Sequence, residues 1–243
     1  MTQGSPSTGY GHRARIGYTS PPTTSEIFPY EFYKLVPDGV TLLLTSLDVW
    51  DHTGVELQDS YRRTIRAAEV MGQAQADLIV LGGGPVLEAK GDDKVGDLVK
   101  AAEEISGVPV TTALAAYADA LRQVNARKVV VVVAAHAAGN NMLERDGMEV
   151  LAKKAVGDGE FVGSTRVSSA ESMAVGRELV KAHPEADTLW VAWPHRATVD
   201  RIEAMEQELG ITVVSAGQAI VWHALRRCGI KDAIQGYGRL MRE

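Results

Sequence analysis

Cysteine is the scarcest chemistry-bearing residue in the sequence, with Cys228 alone among 243 residues. A single cysteine excludes an intrachain disulfide and a cysteine-based metal cluster. H-E-x-x-H and H-x-H spacings are missing, so no metal site is expected. No G-x-S-x-G turn exists to raise a nucleophilic serine. No apolar run has the length of a membrane span, and no signal-peptide pattern opens the chain. Basic charge is also short: 25 Lys and Arg stand against 31 Asp and Glu, a net charge of −6, which argues against a nucleic-acid partner. A cytoplasmic protein is expected, with neither a membrane nor a nucleic acid as partner.

What is present is ordinary for a folded chain, 45% hydrophobic and 23% charged. That length gives one large domain or two small ones with real cores. Residues 1–13, MTQGSPSTGYGHR, are small and polar and read as a flexible N-terminal arm. Strands are predicted in RARIGYTS, GVTLLLTSLD, ADLIVLGGG, VPVTTAL, RKVVVVVAAH, GEFVGSTRV, TLWVAWP and ITVVSAG. Amphipathic stretches at 56–75, 93–106, 114–126, 140–154, 170–183 and 198–209 read as the intervening helices. Nearly all-apolar strands alternating with helices predict α/β architecture, with parallel sheets covered on both faces.

Two segments echo each other. ADLIVLGGG resembles ADTLWVAWP, and GVPVTTALAAYADALR resembles GITVVSAGQAIVWHALR at a similar following distance. The echo predicts two similar Rossmann-like halves, each a mostly parallel sheet flanked by helices, facing each other across a cleft that holds the active site. Residues 14–113 plus 222–243 are expected in the first half and 114–221 in the second.

Open α/β sheets bind ligands beyond the carboxyl ends of their strands, which selects the candidate residues. In LGGGPV, three glycines follow a buried strand, but G-x-G-x-x-G is not formed. Pro85 removes a donor and no Gly-Lys-Ser/Thr follows, so neither a dinucleotide loop nor a P-loop fits. YTSPPTTSE offers hydroxyls at Thr19, Ser20, Thr23, Thr24 and Ser25 ahead of a helix, suited to an anion or simply to an N-cap. His136 follows five valines, where it serves either as a hydrogen-bonded structural residue or as a catalyst; Asn140 and Asn141 either hold a carbonyl or cap a helix. In WPHRAT, Trp193 walls off water or fills the core. His195 offers proton transfer, and Arg196 clamps an anion or lies solvated. Cys228, at a helix end before Gly229, is a poor place for a thiolate.

Together, RIGYTSPPTTSEIFPYEFYKLVPDGV, LGGGPVLEAKG and TVDRIEAMEQELGITVVSAGQAIVWHALRRCGI resemble the aspartate/glutamate racemase superfamily, in its arylmalonate decarboxylase and maleate cis-trans isomerase branch. The resemblance covers about residues 14–242. It implies two pseudo-symmetric α/β halves and no cofactor. It also implies a carboxylate held by backbone N–H and hydroxyl groups of Thr19, Ser20, Pro21, Gly83, Gly84 and Pro85. Two facing cysteines are the family's racemase pattern; their positions fall here on Gly83 and Trp193, and the decarboxylase branch, which keeps only the second cysteine, is not reproduced at that position either. The family's oxyanion-binding tyrosine falls on His136, and its asparagine on Asn141 or Asn140.

The expected activity is therefore cofactor-independent lyase or isomerase chemistry on a small carboxylate or carbonyl compound, but not two-thiol racemisation. His136 or His195 would be the acid/base, and Asn140, Asn141, Trp193, Pro194 and Arg196 would line the substrate. A hydrolase using water in place of the thiols, or a carboxylate binder without catalysis, are the alternatives. Assembly as a homo-oligomer is expected.

Overall fold

The computed structural model describes residues 9–49, 54–88, 94–134, 142–157 and 165–243. Elements run β1 (Ala14–Pro22), α1 (Ile27–Leu35), β2 (Val40–Val49), α2 (Gly54–Gln73), β3 (Leu78–Leu81), α3 (Gly84–Glu88), α4 (Val95–Ser106), β4 (Val110–Thr112) and α5 (Ala113–Gln123). There follow β5 (Lys128–Ala134), α6 (Met142–Arg145), β6 (Glu149–Val156), α7 (Ser169–Ala182), β7 (Thr188–Val191), α8 (Ile202–Leu209), β8 (Thr212–Ser215), α9 (Ala216–Arg227) and α10 (Arg239–Arg242). Among the described residues, no helix is long and apolar enough to cross a membrane.

The strands form two four-stranded sheets, ordered β2-β1-β3-β4 and β6-β5-β7-β8. Every pairing is parallel. The shared order bears out the α/β reading and the internal echo, and side chains show what the echo is for. Asp77 and Asp187, each just ahead of its strand, accept backbone N–H bonds from the neighbouring strand: Arg15 at 2.7 Å in one sheet, Lys128 at 2.9 Å in the other. Glu103 and Glu206, each in the last turn of a helix, accept from the N–H of Val110 and Val213 at 3.1 and 3.0 Å. Both helices then stop at a left-handed glycine, Gly107 or Gly210. Two acidic residues per sheet thus satisfy strand ends, which fixes where each helix hands over to its strand.

Contacts divide the chain into two units. The first holds residues up to Thr23, Val36–Thr112 and Arg227–Ile230; the second holds Thr24–Leu35, Ala113–Arg226 and Lys231–Glu243. This division cuts the chain elsewhere than the expected 14–113 plus 222–243. Helix α1 goes with the second unit because Glu31 bonds to Thr198 and Val199. The C-terminal segment goes there because Gln218 holds the carbonyl of Tyr237 and Arg242 pairs with Glu203.

One element differs in kind from its sequence reading. Residues 140–154 read as helix, yet 149–156 form β6. Leu-Ala-Lys-Lys-Ala carries high helix propensity, but β6 is an edge strand, where lysines serve as well as β-branched residues. Lys153 and Lys154 reach Glu144 and Glu178 from it. The strand expected in GEFVGSTRV falls mostly outside the described residues, and Thr165 and Arg166 at its end are not in a strand.

Candidate functional site

In the first unit, the end of β1 meets the glycine turn after β3. Thr19 and Ser20 are fully buried. With Pro21 they lie within the strand, not in the loop expected, because Thr19 pairs with Thr45 and with Leu81 and Ser20 pairs with Ser46 before a bulge at Pro22. The Thr19 hydroxyl accepts the N–H of Gly82 at 2.9 Å. A Cβ on Gly82 would lie 2.1 Å from the Thr19 carbonyl, and one on Gly83 would lie 2.3 Å from Pro21. Gly83 also takes φ +82. Its carbonyl then accepts from Leu87 at 3.0 Å, as α3 begins at Gly84 with Pro85 behind it. The Ser20 hydroxyl, by contrast, is buried with no partner among the described residues.

In the second unit, the turn after β7 carries Trp193, Pro194, His195 and Arg196. Trp193 takes φ +90, a left-handed conformation that is strained for a residue with a Cβ. It occupies the same place after β7 that Gly83 occupies after β3. Pro194 is buried. His195 is 4% exposed; its Nδ1 lies 3.4 Å from the Ser25 hydroxyl, and its Nε2 has no partner among the described residues. Its ring meets the Trp193 ring edge-on at 6.1 Å.

Arg196 is not the solvated loop residue that was one reading of the sequence. It is 1% exposed, with its guanidinium 5.5 Å from the Trp193 ring centre. One nitrogen donates to the Val156 carbonyl at 3.2 Å, while Nε and Nη1 have no partner among the described residues. Burial lowers its pKa to about 10, against a small opposing pull from Glu171. A cavity of about 260 Å³ lies against His195, lined also by Thr24, Ser25, Glu26, Ile27, Thr165 and Arg166.

Glu31 escaped sequence reasoning. It is 4% exposed, and its carboxylate accepts from the N–H groups of Thr198 at 2.5 Å and Val199 at 3.0 Å and from the Thr198 hydroxyl at 3.2 Å. Burial raises its pKa, with those hydrogen bonds opposing. A spacing signal existed, since Phe28, Phe32 and Leu35 put Glu31 on the apolar face of α1, where a glutamate needs hydrogen-bond partners. His136, Asn140 and Asn141 lie outside the described residues. Cys228 sits in the first unit just past α9, its thiol pushed up to about 11 by burial, with Asp77 adding to the shift and Arg227 opposing.

Burial holds the His195 pKa down to about 3, so the ring is neutral in the folded protein at neutral pH. The unfolded chain takes up that proton near pH 6.5, the folded one only near 3. Stability contributed by keeping this ring neutral is therefore complete above about pH 6.5 and is lost as pH falls through that window. At pH 4.5 the loss is of the order of 2–3 kcal/mol. His195→Gln should accordingly lose less stability between pH 7.5 and 4.5 than the parent, measured by urea unfolding at both pH values. Glu31, raised instead of lowered, acts in the opposite sense and cancels in this comparison. Equal losses in parent and variant would show that the ring is not held neutral.

Two parallel α/β units of matching strand order go here with an enzyme of lyase or isomerase type, as the family and its relatives show. The chain belongs to the arylmalonate decarboxylase family, whose model matches residues 16–241. It is 25% identical over 233 residues to arylmalonate decarboxylase from Bordetella bronchiseptica, covering 94% of this chain and 96% of that protein. Among solved structures it is similar to the maleate cis-trans isomerase of Nocardia farcinica with a covalently bound succinylcysteine intermediate. There the TM-score is 0.82 at 20% identity over 94% of this chain and 98% of that one. The maleate isomerase of Pseudomonas putida S16 gives 0.81 at 17% identity, again over 94% and 98%.

Proposed function

We propose that the chain decarboxylates a small malonate-type dicarboxylate without a cofactor, with Arg196 anchoring a carboxylate and His195 supplying the proton. The observation that carries this reading is the buried guanidinium of Arg196 on a strained turn, with Nε and Nη1 lacking partners among the described residues, one residue from a buried neutral imidazole. A buried cation lacking its counter-charge is costly, and an anionic ligand removes that cost. On resemblance alone, the segment Thr19, Ser20 and Pro21 and the turn Gly83, Gly84 and Pro85 keep their proposed carboxylate-binding role, for which Thr19 and Ser20 offer hydroxyls and Gly83 and Gly84 offer N–H groups. His136, Asn140 and Asn141 keep their proposed substrate roles on resemblance alone.

Decarboxylation fits better than isomerisation because of what each needs. The Nocardia farcinica isomerase has been captured with a succinylcysteine, so a thiol bonds to carbon in that protein. Here the two positions that the resemblance assigns to thiols hold Gly83 and Trp193, and Cys228 has its thiol pushed up to about 11. Decarboxylation needs no nucleophile. The C–C bond to one carboxylate breaks, CO2 leaves, and the electron pair enters the remaining carboxylate as an enediolate. The carbon then takes one proton, so a malonate dianion plus a proton gives a monoanion and CO2. In the empty protein His195 is neutral; a bound dianion raises its pKa and draws that proton in.

The test is incubation with phenylmalonate, alkylmalonates and, separately, maleate, followed by NMR for product and by gas analysis for CO2. CO2 release from a malonate with maleate untouched is the expected result. Fumarate from maleate, or no turnover of any malonate, would overturn the reading.

A further inference from the structure

We propose that Glu31 is a positioning residue for the turn Trp193–Val199, setting the orientation of His195 and Arg196 from a helix that precedes them by more than 150 residues in the chain. The turn cannot hold itself. Trp193 sits at φ +90, a conformation that persists only when surrounding structure imposes it. Its far end is imposed by Glu31, whose two oxygens take the N–H groups of Thr198 and Val199 and the Thr198 hydroxyl.

The clamp has a second anchor. With its proton given to Glu31, the Thr198 hydroxyl accepts from the Ser215 hydroxyl at 3.0 Å, at the end of β8, and Ser215 in turn accepts from the Gln218 N–H at 3.3 Å. Helix α9 begins here, and Gly217 in its first turn would place a Cβ 3.5 Å from a Glu31 oxygen and 3.6 Å from the Pro194 carbonyl. The carboxylate therefore lies at a helix N-terminus, where negative charge is favoured. No cation pairs with Glu31 among the described residues, so its bonds are spent on the turn backbone and Thr198. A surface-type glutamate would not be buried for packing alone, because burial disfavours its charge.

Glu31 is not itself among the residues lining the cavity, so its effect on His195 and Arg196 passes through the turn it holds. Glu31→Gln keeps shape and the one oxygen that takes both backbone N–H groups, but removes the charge and turns an N–H₂ group toward the Thr198 hydroxyl. Glu31→Asp keeps the charge and withdraws it by one methylene. Three readouts separate positioning from general support: urea stability, NMR titration of the His195 imidazole, and kcat against KM for a malonate. Expected for Glu31→Gln is an upward move of the His195 titration by more than one pH unit as water reaches the ring. A kcat loss above tenfold should accompany it with KM changed less than threefold, and Glu31→Asp should fall between parent and Gln.

The kinetic arm rests on the proposed decarboxylation, but the titration does not. If no malonate turns over, an upward His195 shift in Glu31→Gln still supports the clamp, and an unmoved titration overturns it. If Glu31→Gln does not fold, the same two outcomes are read from Glu31→Asp. Uniform loss of stability with the His195 titration and kcat unchanged would also overturn it.

Discussion

His195→Ala is expected to lower kcat for malonate decarboxylation by about 10²–10⁴, the range for losing a general acid or base. Arg196→Met is expected to act differently, raising KM about tenfold or more, as loss of one charge-assisted hydrogen bond of about 1.5–3 kcal/mol would. The contrast follows from where each side chain stands. His195 is buried and neutral with Nε2 unpartnered among the described residues, so it can pass on a proton that a bound dianion draws in but offers no permanent charge. Arg196 keeps its charge, with pKa lowered only to about 10, and has two nitrogens without partners among the described residues.

Methionine fills much the same volume without the buried charge. The loss of the Val156 carbonyl bond and of the stacking on Trp193 is offset by relief of desolvation. Arg196→Met should therefore unfold within about 1 kcal/mol of the parent in urea. A variant that binds product carboxylate as tightly as the parent would remove Arg196 from the anchor role. A His195→Ala enzyme with parental kcat would remove His195 from the proton transfer.

Gly82→Ala should be the most damaging single methyl group in the first unit. Its Cβ would sit 2.1 Å from the Thr19 carbonyl and 2.8 Å from the Tyr18 ring. The carbonyl belongs to β1, which is paired on both sides, so it cannot retreat without breaking ladder bonds. Overpacking of this kind costs about 1–3 kcal/mol or more. Losing the Gly82 N–H bond to the Thr19 hydroxyl adds about 1–3 kcal/mol for a buried donor left unmade. Set against a total stability of about 5–15 kcal/mol, the variant should be largely unfolded at 37 °C or nearly so. Gly96→Ala is the control, since nothing lies within 4 Å of its added Cβ and it sits inside α4. It should be neutral or stabilising by up to about 1 kcal/mol. Equal urea midpoints for the two variants would show that the close approach at Gly82 does not exist.

Much of the fold is legible in the sequence because its signals are local. Five consecutive valines can only be a strand covered on both faces, and 129–133 form the centre of β5. The Ala-Asp pairs ahead of β3 and β7 mark the same junction twice, and the structure shows both aspartates bonded to the neighbouring strand. Edge strands carry weaker signals. In β6 the lysines report exposure, not periodicity, so the helix reading over 140–154 had no local contradiction.

The candidate site divides along the same line. WPHRAT stands out as a polar group at a strand end, but whether its His195 and Arg196 face solvent or the interior is not written in the segment, and the structure buries both. For Glu31 the spacing of Phe28, Phe32 and Leu35 marks a buried face, but nothing local names what the carboxylate bonds. Its partners, Thr198 and Val199, lie 167 and 168 residues away, and no window along the chain contains both ends. Likewise, nothing in WPHRAT reports that Trp193 adopts φ +90, since a tryptophan is the last residue local propensity would place there.

The excursion of residues 24–35 into the second unit has a consequence during synthesis. Glu31 emerges from the ribosome 167 residues before the threonine it will bond. At about 5–20 residues per second, helix α1 waits roughly 10–30 s for its binding partner. Through that interval, Phe28, Phe32 and Leu35, all buried in the finished protein, lack the turn and sheet of the second unit. Nine residues are too few to hold a helix alone in water, so α1 takes its final form only when the turn it clamps has been made, and its carboxylate stays hydrated until then.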